Sequence, residues 1–354
     1  MRRFLRAAAV VGFTVVTLDA LGASLIAQAP SPPQGAPPGG RGAAPAAPPP
    51  SPAAIERAGQ IIAETRKAMG GPTLDAVTTI VATGRTRRVR GDNLVPIEFE
   101  VSIQLPDKYV RKDEIPAEES EPTSTGFNGE ELIQFPVPVA GRPGGPGAAP
   151  PGRPGGPAPT PEQLAAQRAA RLVTAKQEFA RLALGLFANS LATYPMTFAF
   201  AGEAQAPQGT ADVLDVRGAG NFSARLFIAR DTHLPIMISW QAPPTNVIVS
   251  TPGQPAPRTV APGAVIITAP APPAATAPAE ERESYTKQVA AMRQKAQATP
   301  IEYRFYYADY RDVNGVKFPF RLRRAIGPDT TEETTFDRFR LNTQIDARKF
   351  AVPK

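Results

Sequence analysis

The chain has no cysteine, one histidine and one tryptophan among its 354 residues. Without cysteine there is no disulfide staple, thiolate metal ligand, cysteine nucleophile or lipid anchor on an N-terminal Cys. With His233 as the sole histidine, a multi-histidine metal site is excluded, and a His-based triad would have to use that residue. Its context, Arg230-Asp231-Thr232-His233-Leu234-Pro235, reads as a tight turn with no nucleophile-elbow serine beside it. Long apolar runs are also missing. After residue 29 no segment reaches the roughly 18 consecutive apolar residues that a membrane-crossing helix needs. A phosphate loop is absent too, because proline interrupts the glycines of residues 141–156 and no Lys-Ser/Thr follows.

Proline and glycine are in excess, at 42 and 29 residues. Thirty of the prolines fall in residues 30–54, 136–161 and 242–280, stretches that read as an extended linker and two disordered insertions. Residues 1–29 read as an export leader. Arg2, Arg3 and Arg6 precede a mainly apolar run over 7–18, and Ala27-Gln28-Ala29 offers a small-x-small cleavage pattern. The expected organisation is a leader (1–29), a linker (30–54) and one domain (55–354) interrupted by the two Pro-rich insertions. The net charge of +7 includes the three leader arginines, so nucleic acid is not an expected partner.

Periodicity predicts helices over 52–69 and 164–188, the second introduced by the capping box Thr160-Pro161-Glu162-Gln163. A charged surface helix is expected over 279–298. Strand signals are more numerous. Residues 97–104 alternate apolar and polar, which buries Ile97, Phe99, Val101 and Ile103 and leaves Glu98 and Glu100 wet, so this carboxylate pair reads as a solvated face. About ten short strands joined by tight turns predict an α+β fold, with a curved antiparallel sheet (an incomplete β-barrel) wrapped around two helices. A small hairpin of 247–251 with 264–268 is expected inside the third Pro-rich stretch.

Large apolar residues crowd one side of many strands. Phe99, Phe198, Phe200, Phe222, Trp240, Phe305, Phe318 and Phe320 are either ordinary core or the lining of an apolar groove on the concave face. Basic residues form two groups, Arg85, Arg87, Arg88 and Arg90, then Lys317, Arg321, Arg323 and Arg324. They read as charges that oppose edge-to-edge strand pairing, or as a docking surface for an acidic partner or lipid headgroup.

Several phrases resemble the LolA/LolB-like superfamily of periplasmic lipoprotein-sorting proteins. They are the helix closed by Gly70-Gly71, Leu105-Pro106-Asp107-Lys108-Tyr109, Phe127-Asn128-Gly129, Tyr307-Ala308-Asp309-Tyr310-Arg311, Asn314-Gly315-Val316, and the terminal phrase with Asn342, Ile345, Phe350 and Pro353. The resemblance implies an open barrel that holds acyl chains under helices. The expected function is a periplasmic, non-enzymatic carrier or binder of an acyl chain or other lipid-like ligand, with no cofactor or metal. The competing expectation is a regulatory or scaffold protein of the cell envelope that has the same fold and binds protein partners.

Overall fold

The computed structural model describes residues 49–90, 93–116, 121–136, 160–206, 209–253 and 260–352; for Arg90 only the backbone is described. The expected leader, the linker up to residue 48, the insertion over 137–159 and Pro353 lie outside the described residues.

Helix α1 (Pro52–Met69) starts where Ser51 accepts a hydrogen bond from the Ala54 N–H, with Pro52 in the first position, where a missing N–H costs nothing. Gly70 ends it at φ +143°, and a Cβ there would lie 2.7 Å from the Gly315 carbonyl oxygen. After the single turn of α2 (Pro72–Asp75) come β1 (Thr79–Arg90), β2 (Asn93–Gln104), β3 (Lys108–Glu114), β4 (Thr123–Asn128) and β5 (Glu131–Phe135). The long helix α3 (Pro161–Phe187) carries the expected capping box, with both Thr160 and Gln163 bonds formed, and stops at Ala188 in the left-handed region. It is followed by β6 (Met196–Ala206), β7 (Gly209–Gly218), β8 (Phe222–Ala229) and β9 (Pro235–Ala242). The excursion β10 (Asn246–Ser250), β11 (Ala264–Thr268) and α4 (Ala279–Ala298) precedes the closing strands β12 (Ile301–Val313), β13 (Val316–Ile326) and β14 (Asp329–Leu341).

Twelve strands form one antiparallel sheet in the order β5-β4-β3-β2-β1-β14-β13-β12-β9-β8-β7-β6. The end strands β5 and β6 do not pair with each other, so the sheet is an open, curved one as expected. Its pairing of β1 with β14 joins the two ends of the domain, from Ile80 opposite Leu341 to Arg88 opposite Glu332.

One expectation is corrected. The β10–β11 pair is parallel, not a hairpin. Residues 251–263 supply the dozen or so residues that a parallel crossover needs. Within the third Pro-rich stretch β10 and β11 are regular strands, and α4 packs on this pair. Lys176 and Arg181 of α3 are buried, because that helix lies inside the sheet's curve and meets protein on several sides. Lys176 pairs with Glu130 at 2.6 Å, and the Arg181 guanidinium lies 4.2 Å from the Trp240 ring centre.

Helix α3 is tied to β12 by tyrosine hydroxyls that donate to its carbonyls, Tyr307 to Arg181 and Tyr310 to Gly185. Gly185 permits this approach: a Cβ there would lie 2.3 Å from ring carbons of the buried Tyr307. Helix propensity favours alanine over glycine by about 1 kcal/mol, whereas forcing atoms into a filled core costs about 1–3 kcal/mol. With the ring pinned by its hydroxyl, the steric cost wins. Gly185→Ala is expected to lower the denaturant midpoint, and an unchanged or raised midpoint would show that Tyr307 can move aside.

Candidate ligand-binding site

Residues opposite one another on paired strands point to the same side, so the strand register defines the concave face. Its inward side chains follow one trend on six strands. The sequence runs from Leu132 to Gln134 on β5, from Phe127 through Thr125 to Thr123 on β4, and from Tyr109 through Arg111 to Asp113 on β3. It continues from Ala82 through Thr86 to Arg88 on β1, from Phe336 through Thr334 to Glu332 on β14, and from Leu322 to Arg324 on β13. The strand directions make these gradients parallel in space. Strand β2, between β3 and β1, keeps Ile103, Val101, Phe99 and Ile97 on the same side, so the polar and charged end of the face is built by the strands on either side of it.

Between this face and α3 lies a cavity of about 520 Å³. Helix α3 contributes Arg171, Thr174, Ala175, Glu178 and Leu182, a stripe at helical spacing. The sheet contributes apolar Val101, Tyr109, Leu132, Phe305, Leu322 and Phe336, with Arg88, Arg111, Asp113, Arg324 and Glu332 at the polar end.

The charges alternate in a continuous chain. Arg181 bonds Glu178 at 2.7 Å, and Glu178 bonds Arg324 at 2.6 Å. Arg324 lies 3.7 Å from Glu332, which Arg88 bonds at 2.8 Å. Arg88 lies 3.7 Å from Asp113, which Arg111 bonds at 2.6 Å. Arg111 then donates to the Thr86 hydroxyl, itself bonded to Thr334. Two guanidinium groups also lie over aromatic rings, Arg111 over Phe99 at 4.5 Å and Arg324 over Phe305 at 4.6 Å.

Burial would push the Glu332 carboxyl up, but Arg324, Arg111 and Arg88 outweigh it and hold the group below the ordinary value of 4.5. Glu178 follows the same balance, with Arg324 and Arg181 overcoming burial. Burial raises the Tyr109 phenol to about 12, against the pull of Arg111 and Arg324, so it stays neutral at physiological pH. For carboxyls whose folded value lies below the unfolded one, the stabilisation is complete above the unfolded value and is lost as pH falls through the folded one. The melting temperature should therefore stay level from neutrality to about pH 5 and drop below about 4.5, with a shallower drop in Glu332→Gln. An identical acid profile in that variant would remove Glu332 from the account.

The eight large apolar residues singled out in the sequence are only partly gathered at this cavity. Phe305 lines it. Phe99, Phe222, Phe318 and Phe320 are buried in the main core, and Phe198, Phe200 and Trp240 are half-buried against it. Of the basic residues, Arg85, Arg87, Lys317, Arg321 and Arg323 are exposed on the outer side of β1 and β13. Arg85 pairs there with Asp337, and the Arg323 guanidinium lies 4.3 Å from the Tyr306 ring centre. Arg88 and Arg324 leave these groups and point inward. His233 sits in the expected turn at φ +55°, with Nδ1 3.7 Å from Glu64. Glu98 and Glu100 border a separate outer cleft with Lys112 and Glu114, and Lys349 bonds Glu100. Among the described residues no cluster of three or more His, Asp or Glu could hold a metal, and no helix is long and apolar enough to cross a membrane.

No family model and no curated protein matches the chain. Solved structures do. A LolA superfamily protein from Nitrosomonas europaea is 10% identical with a TM-score of 0.40, the match covering 82% of this chain and 96% of that one. A DUF1329 family protein from Desulfovibrio piger is 6% identical with a TM-score of 0.38, covering 84% and 97%. A domain named for outer membrane lipoprotein sorting, from Vibrio parahaemolyticus, is 8% identical with a TM-score of 0.39, covering 84% and 97%. At these values the likeness transfers no residue roles. One of these structures is named for the LolA superfamily and another for outer membrane lipoprotein sorting.

Proposed function

We propose that the protein is a non-enzymatic carrier or binder of a lipid-like amphiphile, held between α3 and the concave face of the sheet. The observation that carries this reading is the common gradient on six strands, which gives one cavity an apolar end and a charged end. An amphiphile is the ligand class with the same polarity. The cavity's volume of about 520 Å³ falls within the ~300–1,000 Å³ usual for small-molecule sites. Burying the ligand's tail contributes roughly 25 cal/mol per Å² of apolar surface, which needs no fixed hydrogen bond along the chain.

The residue inventory supports a binder over a catalyst. The cavity's carboxylates are each committed to arginines, its tyrosine is neutral, and the sole histidine lies in a turn that does not line it. The export leader read over residues 1–29 supports a working compartment outside the cytoplasm, and the exposed arginines of β1 and β13 offer a face to an acidic envelope partner. The test is native mass spectrometry of protein purified from its own cell envelope, before and after delipidation and reloading with a fatty acid. A co-purifying amphiphile that reloads at one per chain is expected. Failure both to co-purify and to reload would end the carrier reading.

A further inference from the structure

We propose that the polar end of this cavity is a head-group site for an anion, the carboxylate or phosphate of the amphiphile, received by Arg88, Arg111, Arg171 and Arg324. The inference rests on the carrier reading above and adds the sign of the ligand's charge. Among the described residues lining the cavity, these four arginines face three carboxylates, Asp113, Glu178 and Glu332. The ion-pair chain gains a further cation at its end in Arg181, so the carboxylates do not balance the site.

Hydrogen-bond capacity points the same way. A guanidinium has five N–H donors and no acceptor. Arg88 donates only through Nε, Arg324 through Nη1, Arg171 through Nη1 to Gln134, and Arg111 through Nε and Nη2. Each therefore keeps a terminal nitrogen without an acceptor among the described residues. None of these nitrogens is among the buried polar atoms that lack a partner, so solvent or a ligand can reach them. The three carboxylates accept only and are already engaged by arginines, so a cationic head group would have to break an existing pair. An anion adds charge-assisted bonds to donors that are free. Arg171 is the most available of the four, since Gln134 at 3.4 Å is its only side-chain partner among the described residues.

The test uses the full chain after delipidation and compares oleate with oleyl alcohol, equal in tail and different in charge. Inorganic phosphate is a third probe, with Arg171→Gln and Arg88→Gln as variants. Circular dichroism and melting confirm that each variant is folded, and Arg171→Gln, which breaks no ion pair among the described residues, keeps the test valid if Arg88→Gln is not. Oleate should bind at least about tenfold more tightly than the alcohol, and the preference should shrink in Arg171→Gln and with added salt. Equal binding of the two amphiphiles, or a preference unchanged in the folded variants, would overturn the anion site and leave the carrier reading intact. Phosphate binding alone as tightly as oleate, and displacing it, would make this a site for free small anions and overturn the head-group assignment. Binding of neither amphiphile would remove the carrier reading itself.

Discussion

Arg324→Met is expected to cost about 3 kcal/mol of stability, the low end of the ~3–5 kcal/mol seen when one partner of a buried ion pair is removed. Arg324 is the link between Glu178 on α3 and Glu332 on β14. Without it, two carboxylates face each other with no cation between them, and Glu332, whose side chain is only 10% exposed, keeps one partner, Arg88. The low end applies because the Glu178 side chain is 36% exposed and water can compensate it. Methionine retains much of the contact with the Phe305 ring, so the loss reports charge rather than volume. The companion variant Glu178→Leu/Arg324→Met/Glu332→Leu removes the whole unit and should recover most of the stability. A urea melt compares them, and a single variant as stable as wild type would show that the chain of charges does not hold α3 to the sheet.

Phe179→Ala should be comparably damaging, by about 3–5 kcal/mol. Phe179 is 2% exposed and packs its ring 4.8 Å from Tyr109 and 5.5 Å from Phe127. It is thus the apolar anchor of α3 on β3 and β4, next to the cavity that Tyr109 lines. Alanine leaves a void between rigid rings, which can collapse only if the helix moves inward. Phe179→Leu keeps most of the volume and should cost clearly less. Equal losses in the two variants would mean that ring-to-ring geometry, not filled volume, is what α3 needs here.

Much of the frame was legible because local chemistry and tertiary structure agree. Periodicity from Pro52 and the Gly70-Gly71 stop marked the bounds of α1. The alternation over 97–101 is the burial pattern of β2, and Ser102 departs from it by being buried. The β10–β11 pair was misread because its proline-rich connection hides how far the chain travels before it pairs.

The site was harder to see. Size pointed to the phenylalanines, yet most of them fill the core, as Phe318 and Phe320 do around Phe339. The cavity's polar end is built of arginines and carboxylates, residue types that read as exposed by default. A signal was present in the phase of the strands. Arg324 continues the parity of Phe318, Phe320 and Leu322, and Glu332 that of Thr334 and Phe336, so both were bound to point inward. Glu178 carries no such mark, since only the curvature of the sheet brings the α3 stripe over these strands.

The claim that an amphiphile occupies the space between α3 and the sheet is tested most directly by blocking that space. Thr174 is exposed and lines the cavity, whereas Leu94, 63% exposed, does not line it. Titration of a dansyl-labelled fatty acid into delipidated wild type, Thr174→Trp and Leu94→Trp should give saturable binding to wild type and Leu94→Trp. In Thr174→Trp, folded and equally stable, that binding should be lost. Wild-type affinity in Thr174→Trp would place the ligand elsewhere and contradict the account.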